Sequence, residues 1–208
     1  MPGVDAHDAS TETTTMGLTV SLRSVSGGAV SGPPIVSAGA TINTAALWIR
    51  AISFVSDQGP SDLARLQSLP FDAGTGAVDQ ALSAAPPGLY SLVRVELGAA
   101  DGAPLPQGFA NQSLSLRTTG LLASGRAFTI SDADAGSIDL RASPPMELKP
   151  GAGLRVAIDV DVSAWLNDLS FDSGDSSEPF VVGPEGDGGF RDDFRANVLA
   201  SFHVSLAE

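Results

Sequence analysis

The chain has 208 residues, no cysteine and a formal net charge of −13 at pH 7. The missing cysteine excludes disulfides, thiolate metal ligands and cysteine nucleophiles, and so acidic a chain has no basic stripe with which to bind nucleic acid. Its hydrophobic fraction of 43% is enough for a folded core, whereas no segment is apolar for long enough to predict a membrane span.

The first sixteen residues, MPGVDAHDASTETTTM, are small, polar and rich in threonine. Such a composition does not bury enough apolar surface to fold, so residues 1–16 are predicted to form a disordered leader or tether. A tether of this kind typically follows a cleaved signal segment or a lipid anchor. We therefore expect the protein to be exported. On this interpretation a signal segment, with a possible lipid anchor, preceded Pro2, and Met1 replaces it.

Alternating apolar and polar residues begin directly after the leader, at residues 19–23. This period of two predicts β-strands, because successive side chains of a strand point to opposite faces. Residues 46–55, ALWIRAISFV, are apolar on both phases, which predicts a strand that is buried on both faces. Further alternation at residues 93–97, 113–117 and 202–206 predicts more strands towards the C-terminus.

The clearest strand pattern is LRVAIDVDV, at residues 154–162. A helix would scatter its five aliphatic side chains around the circumference, so only a half-buried strand buries them together. They are Leu154, Val156, Ile158, Val160 and Val162.

Helical signals are few. Ser61 is positioned to cap a short turn over residues 62–66, and residues 77–84 are a second candidate for a helical turn. Glycine- and proline-rich turns, such as residues 186–189, separate the other segments. Many short strands joined by turns predict an all-β fold, an antiparallel β-sandwich with few short helical turns, in a single domain over residues 17–208.

The stretch SAAPPGLYSLVRVELG, residues 83–98, passes from a loop into a strand. Pro86 and Pro87 hold the chain extended and donate no backbone hydrogen bond, so they are expected outside the sheet. Gly88 permits a tight approach of the backbone. We expect Tyr90 to bury its ring and to hydrogen-bond the loop backbone through its hydroxyl group.

In the form PxGxYxxVR, this stretch resembles a motif of prealbumin-like β-sandwich domains in secreted bacterial lipoproteins of unknown function, which are abundant in myxobacteria. ALWIRAISFVSDQG and LQSLPFDAG precede it, and LRVAIDVDVSAWL and SFHVSL follow it, in the order found in that group. The resemblance covers residues 17–208 and implies a prealbumin-like or immunoglobulin-like sandwich that is exported. It implies no catalytic residues, and the lipid-accepting cysteine of such lipoproteins is missing from this sequence.

Nucleophilic catalysis has little support in the sequence. The two histidines are His7, in the leader, and His203, on the polar phase of the last strand, and there is no Gly-x-Ser-x-Gly elbow. Carboxylates on the acidic loops leave a metal-dependent hydrolase as the alternative function.

Two other kinds of binding site have little support in the residue pattern. A copper site would need His203, Trp48, Trp165 and Met146, but nothing in their spacing brings them together. A sugar-binding platform at Trp48 and Arg50 would need more exposed aromatic rings than a chain with 6% aromatic residues provides, so core packing is the expectation for Trp48.

Clustered aspartates are the stronger metal signal. The segment SDADAGSIDL offers alternate aspartates around a glycine turn, and calcium prefers about six to eight oxygen ligands. It is not an EF-hand loop, because, counted from Asp132 as the first position, Gly136 stands at the fifth position and Ser143 at the twelfth. A second acidic segment, residues 168–193, would repel itself unless it is hydrated, extended or neutralised by a cation. The calcium candidates are Asp132, Asp134, Asp139, Asp172, Asp175 and Asp187, with hydrated acidic turns as the alternative interpretation.

Together these features predict a non-catalytic exported module that binds or presents a partner. Its location would be outer-membrane-associated, periplasmic or extracellular, its partner a protein or a glycan, and its candidate cofactor calcium. The alternative is a metal-dependent hydrolase that uses the acidic loops. The near-exclusive use of arginine over lysine, with abundant alanine, glycine and proline, is typical of a bacterium with a GC-rich genome.

Overall fold

The computed structural model of the protein describes residues 17–27, 29–56, 64–82, 85–99, 114–134, 136–171 and 178–207, so the predicted leader lies outside the described residues. Within these ranges the chain forms thirteen strands, one α-helix and one 3₁₀ turn, which confirms the all-β class. In chain order the strands are β1 (Gly17–Ser26), β2 (Ala29–Val30), β3 (Ile35–Ser37), β4 (Ala40–Ser56), β5 (Ala64–Asp72), β6 (Val78–Leu82), β7 (Gly88–Leu97), β8 (Leu116–Leu121), β9 (Ala127–Asp132), β10 (Gly136–Leu148), β11 (Gly153–Asp161), β12 (Phe180–Val182) and β13 (Phe202–Leu206). The 3₁₀ turn spans Val162–Ala164, and helix α1 spans Gly188–Ala200.

The strands form two sheets. The five-stranded sheet has the order β13-β11-β1-β2, with β6 also paired to β1, and the eight-stranded sheet has the order β10-β7-β4-β8-β9-β12, with β3 and β5 also paired to β4. Both sheets are mixed, because β1 runs parallel to β11 and β9 runs parallel to β12. The expectation of antiparallel pairing is wrong at these two pairs. Side chains alternate with the same period in either direction, so the sequence pattern does not report strand direction.

Strand β4 is the centre of the eight-stranded sheet. Leu47 pairs with both β5 and β8, and Ile49 pairs with both β5 and β7. Because a strand has only two edges, β8 and β7 follow the same edge of β4, one after the other. Residues 45–49 and 51–54 of β4 are all buried, which confirms the predicted burial of both its faces.

Alternate side chains of β1 and β11 point into the core. Val156, Ile158 and Val160 of β11 are fully buried, as their alternation predicts. They belong to one hydrophobic cluster with side chains of the other sheet, including Leu47 and Ile49 of β4. Burial of each such side chain stabilises the fold by about 1.5–3 kcal/mol, so this shared cluster holds the two sheets together.

Tyr90 fixes the entry into β7. Its side chain is fully buried, and its hydroxyl donates a hydrogen bond to the carbonyl oxygen of Pro86 at 2.5 Å. Its ring meets Phe54 edge to face, with the ring centroids 6.3 Å apart. Burial raises the pKa of the Tyr90 hydroxyl. The predicted role of this residue, a ring in the core and a hydroxyl on the loop backbone, is confirmed.

Both predicted helical turns are wrong where the structure describes them. Residues 64–66 open strand β5, and residues 78–82 form strand β6. Local propensity favours a turn at both places, but pairing with β4 and with β1 stabilises extended backbone instead.

Helix α1 has no counterpart in the sequence prediction, because its first two residues are glycines in a segment typical of a turn. Asp187 caps the helix by accepting a hydrogen bond from the backbone N–H of Phe190 at 3.3 Å. Phe194 and Val198 are buried, and the Phe194 ring lies edge to face on Trp165 at 6.2 Å. In the described part of the chain no helix has the length and apolarity to cross a membrane.

Candidate anion-binding cleft

Two of the predicted calcium ligands, Asp132 and Asp134, meet arginines of α1. Nε and Nη2 of Arg195 lie 2.7 and 2.6 Å from Oδ2 of Asp132. Nη2 also donates to Oδ2 of Asp134 at 2.8 Å. Arg191, four residues earlier on α1, lies 3.8 Å from Asp132 and 3.9 Å from Asp134. The structure thus brings the two aspartates together around arginine side chains.

Asp132 has no exposed surface, so it is not part of a hydrated turn. Its second oxygen accepts the backbone N–H of Asp134 at 3.0 Å, so both oxygens have a partner. A buried carboxylate needs such pairing, because leaving water costs an ion several kcal/mol. Burial by itself would lower the pKa of Arg195, but hydrogen bonding to Asp132 and the nearby carboxylate charges raise it. This cluster attaches α1 to the end of β9.

The other predicted ligands do not join this cluster. Asp139 of β10 pairs with Arg94 of β7, Asp187 caps α1, and Asp172 and Asp175 lie outside the described residues. Among the residues that the structure describes, no three acidic or histidine side chains are positioned to share a metal ion. The calcium site stays a prediction.

A cleft of about 690 Å³ opens on the outer surface of β4, β7 and β10. We call it the arginine cleft and define it by Arg50, Arg94, Glu96, Ser137 and Asp139, which all line it. Strand alternation positions its polar side chains. The residues next to Arg94 and Glu96 along β7 are buried in the core, so these two point outwards.

A β-bulge positions Arg50. Ile49 pairs with Leu97 and Ala51 with Glu96, so Arg50 is an extra residue of β4 on this edge. Its side chain lies over Gly98, where an added Cβ would stand 3.6 Å from Arg50 carbons. The bulge turns Arg50 outwards in a strand whose neighbouring residues are buried.

The carboxylates of the arginine cleft already have arginine partners. Arg94 binds Asp139 with two hydrogen bonds, of 2.7 and 3.0 Å, and Arg65 of β5 lies 3.3 Å from Glu96. Hydrogen bonding to Arg94 lowers the pKa of Asp139 against a smaller effect of burial, and the charges of Arg94 and Arg141 act in the same direction. The Asp139 carboxyl group is therefore held as an anion.

Arg50 differs from the other arginines of this surface. It is exposed, and in the described part of the chain it makes no hydrogen bond or ion pair through its side chain. Its guanidinium group carries five N–H donors in a planar fork that matches a carboxylate or a phosphate. The arginine cleft thus offers a charged donor with which no described residue pairs, beside ion pairs that fix the neighbouring side chains.

The tryptophans of the sugar-binding and copper-site hypotheses are buried in the structure. Trp48 is fully buried, which confirms core packing and removes it from any exposed sugar platform. Trp165, named for a copper site, is also buried and donates from Nε1 to Oγ of Ser201 at 3.1 Å. Arg50 is the one charged residue in ALWIRAISFV, which distinguishes it in the sequence. The β-bulge that exposes it is not predictable from the local sequence pattern.

In the arginine cleft a β-bulge turns Arg50 outwards over Gly98, and two ion pairs fix neighbouring side chains, while no described residue pairs with the Arg50 guanidinium group. Its chemistry suits a planar anion. Comparison with protein-family models, with curated proteins and with solved structures finds no match to this chain.

Proposed function

We propose that the chain is a non-catalytic, exported module that binds a carboxylate group of a protein or glycan partner in the arginine cleft. The observation that carries this proposal is Arg50, an exposed guanidinium group without a partner in the described residues, inside a cleft of about 690 Å³. Arginine binds carboxylates through two parallel hydrogen bonds, which gives both attraction and orientation.

The net charge restricts the kind of partner. A charge of −13 repels a polyanion at long range, and a short stretch of local positive charge does not reverse that field. Screening leaves interactions effective over roughly 8 Å at physiological salt. A single carboxylate on an otherwise neutral partner is repelled far less than a polyanion, and the two acidic residues that line the arginine cleft, Glu96 and Asp139, are each paired with an arginine.

Binding suits the cleft better than acid–base catalysis. A catalytic acid or base must exchange a proton near the working pH. Asp139 is instead paired with Arg94, which lowers its pKa and holds it ionised. Glu96 likewise faces Arg65. These carboxylates orient arginines, which favours holding a ligand over transforming it.

The proposal extends to family and location. Two sheets that share one core and the Tyr90 hydrogen bond to Pro86 are in keeping with a β-sandwich, and its prealbumin-like family and its export by a bacterium are proposed from the sequence resemblance. A tyrosine at a strand entrance that bonds the backbone just upstream recurs in immunoglobulin-like sandwiches.

The test is a titration followed by NMR and calorimetry, with sodium glucuronate as the carboxylate probe and glucose as its neutral counterpart. We expect glucuronate to perturb the signals of the arginine cleft and glucose to leave them unchanged. Arg50→Glu should weaken glucuronate binding at least about tenfold, because it replaces the donor by a like charge.

Arg155→Glu is the matched control, since Arg155 is an exposed arginine of the five-stranded sheet. It changes the net charge equally but should leave the affinity within about twofold of the parent. Equal binding of glucose and glucuronate, or equal losses in the two variants, would contradict the proposal.

Calcium stabilisation remains part of the prediction for residues 168–193. Calorimetric titration with calcium and protease digestion with and without chelator test it directly. Heat of binding and slower cleavage with calcium are expected if the acidic segment is neutralised by the ion. Absence of heat with unchanged cleavage contradicts it.

A further inference from the structure

A second cleft, of about 650 Å³, opens where the β3–β4 turn and the β8–β9 hairpin meet the segment that follows the 3₁₀ turn. We call it the aspartate cleft and define it by Ala38, Leu122, Asp168, Leu169 and Phe171, which all line it. Its volume falls within the range of roughly 300–1,000 Å³ that is typical of small-molecule sites. None of these residues lines the arginine cleft, so the two clefts are separate surfaces.

Two residues of the aspartate cleft have an unusual backbone conformation. Ala38 and Asp168 have φ angles of 47° and 58°, and they are the only non-glycine residues with a positive φ in the part of the chain that the structure describes. Left-handed backbone brings Cβ too close to a carbonyl oxygen, so it persists only where the surrounding structure holds it, and it is concentrated at binding and active sites. Both of these residues line the same cleft, which favours a binding role for it.

Contacts from two other elements fix the segment that carries Asp168. Oγ of Ser37, at the end of β3, accepts a hydrogen bond from the backbone N–H of Leu166 at 3.1 Å. Nδ2 of Asn197, on α1, donates a hydrogen bond to the carbonyl oxygen of Asn167 at 2.7 Å. Asp168 follows directly, so β3 and α1 hold its left-handed backbone without any bond to its own side chain.

The carboxylate of Asp168 is exposed, and no described residue forms a hydrogen bond or an ion pair with it. Among the described residues it is the one acid that lines the aspartate cleft. Calcium prefers about six to eight oxygen ligands, whereas a single carboxylate balances the charge of a monovalent cation. Leu122, Leu169 and Phe171 pack partly against the core and line the rest of the cleft with apolar surface. These groups suit an organic cation better than a metal ion.

Phe171 gives the aspartate cleft an aromatic ring. The centroid of this ring lies 5.2 and 5.5 Å from those of Phe180 and Phe190, which hold it in place. An aromatic face attracts a cation within about 6 Å of its centroid, and this contact recurs in the recognition of ammonium ligands. The same aromatic cluster already attracts one cation of the chain, because the guanidinium carbon of Arg126 lies 5.6 Å from the centroid of Phe180. Arg126 is thereby directed to Phe180, and its Nε donates to the carbonyl oxygen of Glu178.

We propose that the aspartate cleft binds an organic ammonium cation with an apolar body. The ammonium group contacts Asp168 and Phe171, and the apolar body packs on Leu122 and Leu169. The net charge of −13 attracts cations at long range, so the field of the whole chain favours this class of ligand. The site goes beyond carboxylate binding in the arginine cleft and does not depend on it.

The test is an NMR titration of the full chain with phenethylammonium chloride as the probe and 2-phenylethanol as its neutral counterpart. We expect the ammonium probe to perturb the signals of the aspartate cleft in the millimolar range, as befits so small a ligand, and the alcohol to bind at least about threefold more weakly. Asp168→Asn should weaken binding of the ammonium probe roughly three- to fivefold, since asparagine tolerates left-handed backbone but carries no charge. Phe171→Leu keeps an apolar side chain without the ring and should weaken binding roughly two- to fivefold.

Asp79→Asn is the matched control, because Asp79 is an exposed aspartate of β6 and its loss changes the net charge equally. It should leave the affinity within about 1.5-fold of the parent. Circular dichroism checks that all three variants keep the fold. Equal binding of the ammonium probe and the alcohol overturns the proposal, as do equal losses in Asp168→Asn and Asp79→Asn or an unchanged affinity in Phe171→Leu. A stronger response to sodium 3-phenylpropionate, the matching anion, or no response of the aspartate cleft to the ammonium probe overturns it as well.

Discussion

Two aspartate–arginine pairs of this protein have almost the same geometry and opposite surroundings. Asp132 and Arg195 approach to 2.6 Å at a carboxylate with no exposure, whereas Asp139 and Arg94 approach to 2.7 Å at a carboxylate that is 46% exposed. The buried pair attaches α1 to β9, and the exposed pair lines the arginine cleft. Exposure to solvent, rather than the length of the contact, therefore decides whether such an ion pair stabilises the fold or remains a hydrated surface contact.

The largest expected effect is at the buried pair. Arg195→Ala should lower the free energy of unfolding by about 3–5 kcal/mol, because it leaves Asp132 charged and poorly compensated in the interior. Urea denaturation followed by circular dichroism measures the change. Adding Asp132→Asn to Arg195→Ala should recover part of the loss, since the double variant buries no ion. A loss below about 1 kcal/mol would contradict the contrast between the pairs.

Tyr90→Phe measures what a buried hydrogen bond between uncharged groups contributes to the free energy of unfolding. It removes the buried hydrogen bond to Pro86 and should cost about 1 kcal/mol in the same denaturation experiment. Because burial raises the pKa of Tyr90, the hydroxyl stays protonated between about pH 5 and 8. The cost should therefore be constant over that range, and a cost that varies with pH would argue against a neutral hydrogen bond.

The exposed pair should contribute little to stability. Arg94→Ala and Asp139→Ala are each expected to change the free energy of unfolding by about 0–1 kcal/mol, since water solvates both groups. A double-mutant cycle at two salt concentrations isolates their coupling, which should shrink as salt rises. A coupling as large as that of Asp132 with Arg195 would remove the distinction drawn between the two regions.

The smallest effect concerns pH. The pKa of Asp139 is lowered in the folded chain, so its contribution to stability is present above the ordinary aspartate pKa and is lost as pH falls through the lowered value. NMR titration of the Asp139 carboxyl group should show a pKa that rises towards the usual range in Arg94→Ala. An unchanged pKa in that variant would mean that Arg94 does not hold the carboxylate.

Much of the fold was predictable from local pattern. The alternation of Val156, Ile158 and Val160 predicts a half-buried strand, and the prolines before Tyr90 predict its entry into the core. Both patterns act within a few residues of the chain, so the sequence reports them. Strand direction and α1 were not predictable. Parallel pairing leaves no local mark, and the glycines that open α1 are overridden by the packing of Phe194 against Trp165.

The sites were harder to predict for the same reason. The local sequence around Asp132 predicts a hydrated loop residue. Its partner Arg195 lies 63 residues away in the sequence, so local pattern does not reveal the ion pair. Arg50 is visible as a charge in an apolar strand, but its exposure depends on a bulge set by pairing with β7. The pairing of Asp132 and the exposure of Arg50 both depend on residues far away in the sequence. Only the tertiary structure determines them, so local sequence pattern does not predict them.

Strand β1 is synthesised early, and its neighbour β11 late. Arg23 and Asp159, which form an ion pair across these two strands, are 136 residues apart. Closing so long a loop is slow, because the chain loses conformational entropy before the contacts between the two strands stabilise it. A growing chain can therefore pair β1 early with β2 and β6, whereas the edge of β1 that meets β11 stays open until residues 153–161 have been made.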